Sequence, residues 1–292
     1  MTTFLQLMLN GLGKGAVFAL LALGFVVIFK ATEVVNFAHG SIVLFGGYIV
    51  LVTKDTIGWA GGAFLGILTA GVLALAVERL LLARSRHADP FSLALLTIGI
   101  DVIITEEIVR RLGVTVPFIG DAWDAKPIQL GGVTLFRTHL VALLVATVLI
   151  TAFFFALRYT NWGIAMRAQA ENREAAALVG IRSSRVTATV WLMAGLLAGI
   201  AVLFIATQDF SGAGLSRGTH SIALAAFPAA IIGGLDSTVG AIVGGITVGL
   251  VDALSTHYIS FAFAKSAIFL VMLVVLIARP AGLFGTRETT RV

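Results

Sequence analysis

Apolar segments long enough to cross a lipid bilayer follow one another through almost the whole sequence. One crossing helix needs roughly 20 apolar residues. Segments of this kind lie at 4–29, 37–53, 59–78, 91–110, 139–157, 186–206 and 264–278, and a longer composite region covers 221–254. Only 12% of the residues are charged, whereas soluble domains carry about a quarter. The pattern predicts an all-α polytopic membrane protein with about eight transmembrane helices, in a single domain over 1–292.

Basic residues between the apolar segments predict which loops face the cytoplasm, because Lys and Arg collect on that side. The basic clusters are Arg79, Arg84 and Arg86, the segment 158–185, and the tail with Arg279, Arg287 and Arg291. The net charge of +5 therefore indicates orientation and gives no reason to expect a nucleic-acid partner. Two spans join the first two clusters, which predicts that 111–138 lies outside.

The number of crossings stays open at two places. Between the second and third basic clusters the number must be even, so 221–254 either crosses twice or enters and returns from the same side. The segment 37–53 is short for a crossing and has the same ambiguity. The side of the N-terminus and the exact span count are therefore not fixed by the sequence.

Two apolar helices are interrupted by short polar turns that contain glycine, one in each half of the chain. The residues concerned are Asn36, His39 and Gly40 in the first turn, and Gly233, Gly234, Asp236 and Ser237 in the second. Non-helical backbone at membrane depth is tolerated only where it is packed in protein or lines a cavity, and paired interruptions point to transport pathways. We therefore predict that these residues line a substrate pathway. The alternative is that they form membrane-edge loops whose glycines serve packing.

Ionisable residues inside the apolar segments are functional candidates by default. His39 is one of them, and its alternative role is a neutral histidine bonded to a backbone carbonyl. Asp101 lies deeper in the fourth segment and is a candidate proton-relay group. Near the outer end of that segment, helix spacing of three or four predicts pairs among Glu106, Glu107, Arg110 and Arg111. No second histidine or carboxylate stands at metal-ligand spacing from His39, so no metal is predicted.

The sequence carries no signature of catalysis or of nucleotide binding. The segment 11–15 superficially resembles a phosphate loop, but it lacks the GxxxxGK[ST] pattern and opens a membrane span. No Ser-His-Asp or paired-carboxylate arrangement is visible. We expect a subunit that is not an enzyme and binds no cofactor itself, so that any ATP and Mg²⁺ would be bound by partner subunits.

The longest polar stretch of the chain, 158–185, holds five arginines and two glutamates. Thr160 or Asn161 is a candidate N-cap, a helix is predicted from there to about Ala177, and Gly180 is placed to end it. The helix is rich in alanine, so it can approach another surface with little loss of side-chain entropy. A helix that docks on a partner and an ordinary cytoplasmic loop with affinity for anionic lipid both fit this pattern.

The E-A-A-x-x-x-G spacing of Glu174, Ala175, Ala176 and Gly180 resembles the EAA motif of bacterial ABC-importer permeases. In that family this cytoplasmic helix sits in a groove of the ATPase subunit. The resemblance implies that these residues, together with Arg167, couple the membrane domain to an ATPase through the EAA-type loop at 158–185.

Over nearly its full length the chain more specifically resembles the LivH-type permeases of branched-chain amino acid importers. The likeness includes G-x-x-x-G-A-x-F-A-L-x-A-L-G at 11–24, V-N-F-A-H-G at 35–40 and R-P-x-G-L-F-G at 279–285. It implies the ABC-importer permease fold and a small polar solute, first of all a branched-chain or related amino acid, as substrate, in the cytoplasmic (inner) membrane of a bacterium or archaeon. Implied partners are two ATPase subunits, a second LivM-like permease or a copy of this chain, a periplasmic or lipid-anchored solute-binding protein, and membrane lipid.

Two departures from the family pattern bear on the substrate. Asp236 stands where a glycine is usual, and Ala225 stands where a lysine is common. An acidic residue at a broken helix favours an amine or a cationic substrate, and urea, amide and aromatic-acid importers have similar permeases. From another class, an ion- or proton-coupled secondary transporter that uses Asp101 and His39 is the alternative.

Overall fold

A computed structural model describes residues 2–85, 88–123, 126–130 and 132–286. The helices are α1 (Thr2–Thr32), α2 (His39–Val77), α3 (Pro90–Leu112), α4 (Arg137–Tyr159), α5 (Asn161–Glu171), α6 (Arg173–Leu178), α7 (Ser183–Ile205), α8 (Gln208–Ser211), α9 (Arg217–Leu224), α10 (Ala226–Gly233), α11 (Thr238–Tyr258) and α12 (Phe261–Ala278). The π-helical segment Glu78–Leu82 continues α2, and β1 (Ile128–Leu130) pairs antiparallel with β2 (Val133–Leu135). Three arginines of the predicted basic clusters, Arg86, Arg287 and Arg291, lie outside the described residues.

Six helices in the described part of the chain are long and apolar enough to cross a membrane. They are α1, α2 with its π-helical continuation, α4, α7, α11 and α12. The predicted helical membrane class is therefore confirmed. α3 is equally long, but its charged residues exclude it from this set. It begins after Asp89, whose carboxylate accepts hydrogen bonds from the hydroxyl and backbone N–H of Ser92, and these bonds lower the pKa of Asp89.

α2 contains two of the predicted spans. With its continuation it is 44 residues long, which corresponds to about 66 Å of helix and to twice the hydrocarbon thickness of a bilayer. Gly58 interrupts it with φ 77° and ψ 162°, a conformation that glycine adopts without a steric penalty. The two halves then pack antiparallel, since a Cβ atom on Gly66 would lie 2.7 Å from the Gly46 carbonyl oxygen.

The composite region 221–254 contains one candidate span, α11, preceded by a shorter limb that consists of the end of α9 and of α10. α9 and α10 meet at Ala225 and together run toward the end of the bundle that holds the C-terminal tail. There the Leu283 N–H donates to the Ile232 carbonyl over 2.9 Å, and Gly234 turns the chain with φ 108°. α11 then returns to the opposite end, so this region does not enter and leave from one side.

The most buried spans are α1 and α7, and the centre of the bundle is the contact between α1 and α11. Within the apolar window of α1, 83% of residues are buried. Gly15 faces α11 so closely that a Cβ atom there would lie 2.8 Å from Cα of Ile246, and side chains at Gly245 or Gly249 would collide with the α1 backbone. Small residues that let two backbones approach in this way hold membrane helices together through dispersion contacts.

Basic segments gather at one end of the bundle. The Arg79 guanidinium bonds to Ser184 Oγ at 3.1 Å, and Gln169 donates to the Ala31 carbonyl at 2.8 Å. The first two basic clusters therefore lie at the end where α1 terminates. Because Lys and Arg mark the cytoplasmic side, we assign this end to the cytoplasm and the start of α1 to the outside.

At the outer end, the segment 111–138 contains the short β1–β2 hairpin, which the all-α prediction did not include. Asn10 of α1 holds it, because its Nδ2 donates to the Thr134 carbonyl at 3.1 Å and its Oδ1 accepts from the Phe136 N–H at 3.3 Å. The hairpin is thus tied to the start of the central helix.

At the outer end, the ion pairs of Glu106 and Glu107 agree only in part with the pairs predicted from helix spacing. Glu107 pairs with Arg110 at 2.8 Å and with Arg111 at 2.6 Å, as helix spacing predicted. Glu106 pairs instead with Arg217 of α9, with 2.6 Å between Oε1 and a guanidinium nitrogen. That part of the prediction was wrong because the fold brings a cation from another helix to the carboxylate.

Candidate functional site

The chain re-enters the bundle between α1 and α2 without forming a helix. Glu33 has φ 59°, a left-handed conformation that few non-glycine residues adopt, and it turns the chain back from the end of α1. The Phe37 N–H donates to Thr97 Oγ1 at 3.0 Å, and the Ala38 N–H donates to Asn36 Oδ1 at 3.1 Å. Side chains therefore satisfy backbone donors here, as irregular backbone inside a membrane protein requires.

The first turn of α2 lies level with the middle of α3. The Ser41 N–H donates to Asp101 Oδ1 at 3.1 Å. Asp101 is the central residue of Pro90–Leu112, with about 16 Å of helix on either side. The N-terminus of α2 thus starts inside the apolar layer, with a carboxylate at its positive dipole end. The predicted interruption of the first segment is thus non-helical between α1 and α2 and lies level with the middle of α3.

Asp101 also contacts a histidine that the sequence analysis did not single out. His220 of α9 lies 2.9 Å from Asp101 Oδ2 through Nε2, and the two side chains are 14% and 13% exposed. Gly40 permits this approach, because a Cβ atom there would lie 2.9 Å from His220 Cδ2. A histidine at the start of an apolar region is a detectable signal, but nothing in the sequence paired it with Asp101. We call Ser41, Asp101 and His220 the mid-bundle cluster.

Two polar side chains beside this cluster are fully buried and lack complete pairing. His39 lies against Phe25, with ring centroids 4.6 Å apart, and against Gly24. Among the described residues neither ring nitrogen of His39 has a hydrogen-bond partner, and the same holds for Asn36 Nδ2. The alternative of a histidine bonded to a backbone carbonyl is therefore not found. A buried unpaired group costs about 1–3 kcal/mol, so these side chains are costly to the fold as it stands.

The second predicted turn lies at the cytoplasmic end and not beside the first. Gly233 packs directly against the backbone of Gly240. The Asp236 carboxylate accepts hydrogen bonds from the backbone N–H of Thr286, at 2.8 Å, and from its hydroxyl. Ser237 Oγ accepts from the Gly240 N–H at 3.0 Å and caps α11.

The fold thus separates the two sets of predicted pathway residues. Asn36, His39 and Gly40 lie in the interior of the bundle, whereas Gly233, Gly234, Asp236 and Ser237 form a hairpin turn against the C-terminal tail. The second interruption inside the apolar layer is instead the junction of α9 and α10 at Ala225.

The cytoplasmic segment 158–185 forms two helices where one was predicted. Thr160 caps α5 by accepting from the Gly163 N–H at 3.1 Å. Asn172 then leaves the helical conformation, with φ −155°, and its Oδ1 accepts from the Ala175 N–H at 2.9 Å. Asparagine side chains compete with the helix for backbone donors in this way, and the single predicted helix was wrong for that reason.

The end of α6 is a Schellman cap. The Gly180 N–H donates to the Ala177 carbonyl and the Ile181 N–H donates to the Ala176 carbonyl, both at 3.0 Å. Gly180 has φ 87°, which fits the left-handed position of this motif and confirms the predicted helix end. Ala176 is buried against the chain, whereas Leu178 and Val179 are 90% and 77% exposed at the tip.

The other predicted coupling residues lie on the two helices. Arg167 belongs to α5, and Glu174 and Ala175 belong to the first turn of α6. Glu174 is exposed, and Arg167 lines an open cavity at the cytoplasmic end beside Lys30 of α1. The residues thus sit on two short helices at the cytoplasmic end, where Arg167 and Glu174 are exposed and Ala176 is buried.

A family model described as the permease component of branched-chain amino acid transport systems matches residues 7–278. The chain is 27% identical to the high-affinity branched-chain amino acid transport system permease protein LivH of Escherichia coli strain K12, over 99% of this chain and 98% of that protein. It is 24% identical to the permease protein BraD of Pseudomonas aeruginosa, with the same two coverages.

An archaeal relative and one solved structure are also similar. The probable branched-chain amino acid transport permease LivH of Methanocaldococcus jannaschii is 28% identical over 91% of this chain and 88% of that protein. A chain of PsaBC from Streptococcus pneumoniae, solved in complex with Fab, is 13% identical with a TM-score of 0.47, covering 95% of this chain and 89% of that one.

Proposed function

The chain belongs to the permease-component family of branched-chain amino acid transport systems, and we propose that its substrate is a branched-chain or closely related amino acid. As a permease component it is a multi-pass transport subunit of the cytoplasmic membrane. The match over nearly the whole chain, with relatives that share this description in bacteria and an archaeon, is the observation that carries the proposal.

The proposed partners are those of an ABC importer. Two ATPase subunits on the cytoplasmic side would bind ATP and Mg²⁺, a second related permease or a copy of this chain would complete the pathway, and a soluble or lipid-anchored binding protein would deliver the substrate outside. Within the described residues, no group of three or more His, Cys, Asp or Glu side chains stands in a metal-binding arrangement.

The tip of α6 is the proposed contact with an ATPase. Exposed apolar side chains in water are a recognised mark of protein interfaces, and Leu178 and Val179 form such a pair next to Glu174. The Schellman cap at Gly180 fixes the direction in which this tip points. Arg167, Glu174, Ala175, Ala176 and Gly180 remain the proposed coupling residues, with Leu178 and Val179 added from their exposure.

The mid-bundle cluster is the proposed gate. α9 carries His220 to Asp101, and the same carboxylate accepts the Ser41 N–H at the start of α2. Movement of α6 would be transmitted through α5, whose Gln169 is bonded to the end of α1. We propose that Asn36, His39 and Gly40 line the pathway, and that Gly233, Gly234, Asp236 and Ser237 anchor its cytoplasmic end instead of contacting substrate.

Uptake by a reconstituted complex tests this function. We expect ATP-dependent accumulation of labelled leucine in proteoliposomes that contain the permeases, the ATPases and the binding protein. Glu174→Lys and Gly180→Trp should abolish uptake and co-purification of the ATPase, because the first reverses a charge and the second places a side chain at φ 87°. Uptake that persists without ATP, or in both variants, would refute the ABC mechanism and favour the ion- or proton-coupled alternative.

A binding screen on the partner protein tests the substrate. We expect tight binding of neutral aliphatic amino acids, because the relatives that match nearly the whole chain are permeases of branched-chain amino acid transport. Preferential binding of urea, an amide, an aromatic acid or a cationic amino acid would overturn the substrate while leaving the transport mechanism intact.

A further inference from the structure

A cavity of about 450 Å³ lies in the outer half of the bundle, between α1, α9, α11 and α12. It contains none of the predicted pathway residues. We place it in the outer half because its lining includes Lys14, near the outer start of α1, and Asp252, near the outer end of α11. Its volume falls in the range of small-molecule pockets, which is about 300–1,000 Å³.

The charged groups of this cavity comprise two cations and one anion. Lys14 Nζ lies 2.7 Å from Asp252 Oδ2, and the two side chains are 17% and 21% exposed. The Lys14 ammonium also stands 6.0 Å from the centre of the Phe210 ring. Lys265 of α12 is the second cation of the lining, and no described carboxylate lies within 4.0 Å of it. The cavity therefore has one positive charge in excess.

The rest of the wall is largely apolar. Phe18 of α1, Ile222 of α9 and Ile268 of α12 contribute side chains, and Ala225 lies where α9 meets α10. A cavity with an acceptor for an ammonium, donors for a carboxylate and an apolar surface matches the three parts of an apolar α-amino acid. Each charged group would replace water around the matching charge of the ligand through a charge-assisted hydrogen bond.

We propose that this cavity is an outer binding subsite for the zwitterion of an apolar α-amino acid. Asp252 accepts the ligand ammonium, Lys14 and Lys265 bind its carboxylate, and the Phe18–Ile222 wall contacts its side chain. The inference rests on the proposed function, because it places the same substrate class at a defined site in the permease.

The stability of the fold alone does not explain the Lys14–Asp252 ion pair. A buried pair is often no more stabilising than apolar residues of similar size, and α1 already packs on α11 through Gly15 and Gly245. The cavity also adjoins the proposed gate, since α9 lines it with Ile222 and carries His220 to Asp101. A ligand bound there would contact the helix that must move.

Cysteine protection tests the subsite directly, because the chain has no cysteine. Ile222→Cys places a thiol in the cavity, and Val114→Cys, at a fully exposed outer position, is the matched control. The whole transporter complex, without binding protein, is labelled with a small maleimide, and modification of this chain is followed by mass spectrometry. Competing probes are leucine, 4-methylpentanoate, 3-methylbutylamine and 3-methylbutanol.

We expect leucine to slow the labelling of Ile222→Cys but not of Val114→Cys. The two singly charged probes, 4-methylpentanoate and 3-methylbutylamine, should protect Ile222→Cys less than leucine does. The alcohol, 3-methylbutanol, should give no protection. Asp252→Asn should raise the leucine concentration for half protection by about 10-fold, because the amide still accepts a hydrogen bond but lacks the negative charge that roughly doubles its strength. Equal protection by leucine and the alcohol overturns the proposal, as does the absence of protection by leucine.

Uptake separates failure of the subsite from failure of the proposed function. If the unmodified complex imports leucine and leucine still does not protect Ile222→Cys, the subsite alone is wrong. If the unmodified complex binds no ATPase and imports no amino acid, the proposed function is wrong and the subsite falls with it. An unchanged labelling rate of Ile222→Cys without ligand in the Asp252→Asn background shows that the cavity remains folded, because Ile222 is partly buried.

Discussion

Truncation of Leu178 is expected to weaken ATPase binding without unfolding the permease. Leu178 is 90% exposed and Val179 is 77% exposed at the end of α6, so neither side chain contributes appreciably to packing within this chain. Burial of one CH₂ group stabilises by about 0.8 kcal/mol, so Leu178→Ala removes about 2.4 kcal/mol if an ATPase groove buries the side chain fully. This corresponds to a roughly 50-fold increase in the dissociation constant.

The dissociation constant is measurable by fluorescence anisotropy, with labelled ATPase subunits titrated against the permease complex in lipid nanodiscs. Leu144→Ala is the matched control, because Leu144 is 65% exposed on the membrane-spanning helix α4. This control makes the same chemical change on a surface that faces lipid. We expect it to leave the dissociation constant unchanged.

Two results would refute the reasoning. One is an unchanged dissociation constant for the Leu178→Ala, Val179→Ala double variant, which would mean that the tip of α6 is not buried in the complex. The other is a loss of permease stability well beyond about 0.5 kcal/mol, the usual bound for exposed substitutions. Such a loss would contradict the exposure from which the expected magnitude was calculated.

Further predictions concern packing, the mid-bundle cluster and the tail. Gly245→Ala should lower the thermal unfolding midpoint, because overpacking at the α1–α11 contact costs about 1–3 kcal/mol. The control Gly99→Ala should be neutral or stabilising, because Gly99 has open space around it. Equal midpoints for the two variants would contradict the prediction. Asp101→Ala should reduce stability more than Asp101→Asn in chemical unfolding, because the amide still accepts the Ser41 N–H, and the reverse order would be inconsistent with the geometry. Asp236→Gly should leave the ratio of neutral to cationic amino acid uptake unchanged, and a shifted ratio would return this residue to the pathway.

The spans could be predicted because hydrophobic length is a local property of the sequence. The two halves of α2 appear as the separate apolar segments 37–53 and 59–78, and the structure joins them only through Gly58. The number of crossings in the composite region was ambiguous, because the end of the bundle at which its turn at Gly234 lies depends on where the C-terminal tail packs. The hydrogen bond from Leu283 to Ile232 is the contact that decides it, and no local pattern contains it.

The cytoplasmic segment illustrates a local error. Alanines on both sides of Asn172 favour one continuous helix, and helix propensity summed over the segment supports that prediction. The side chain of Asn172 nevertheless captures the Ala175 N–H, because a single capping bond can outweigh a weak propensity in a short exposed helix. The end of the segment at Gly180 was predictable, since glycine is the usual residue for the left-handed position after a helix.

The mid-bundle cluster was only half predictable. Asp101 and His39 stand out as ionisable residues in apolar segments, but the partner of Asp101 is His220, which lies 119 residues away in sequence. The choice between the two histidines depends on how α9 packs against α2 and α3. Gly40 makes that packing possible, whereas the sequence had singled it out only as part of an interrupted helix.

These contacts make α9 the element most suited to switching. It has only eight residues, and a helix of that length is not stable by itself in water, so its position depends on what it touches. Two polar pairs hold the first half of α9, one between Arg217 and Glu106 and one between His220 and Asp101. Ile222, further along the helix, borders the outer cavity. Because a few polar contacts are exchanged more easily than a close-packed interface such as α1–α11, a ligand in that cavity would shift α9 by changing these pairs together with its packing on α2 at Gly40. The gate and the proposed subsite would then share one helix, and import would couple the two without rearranging the core.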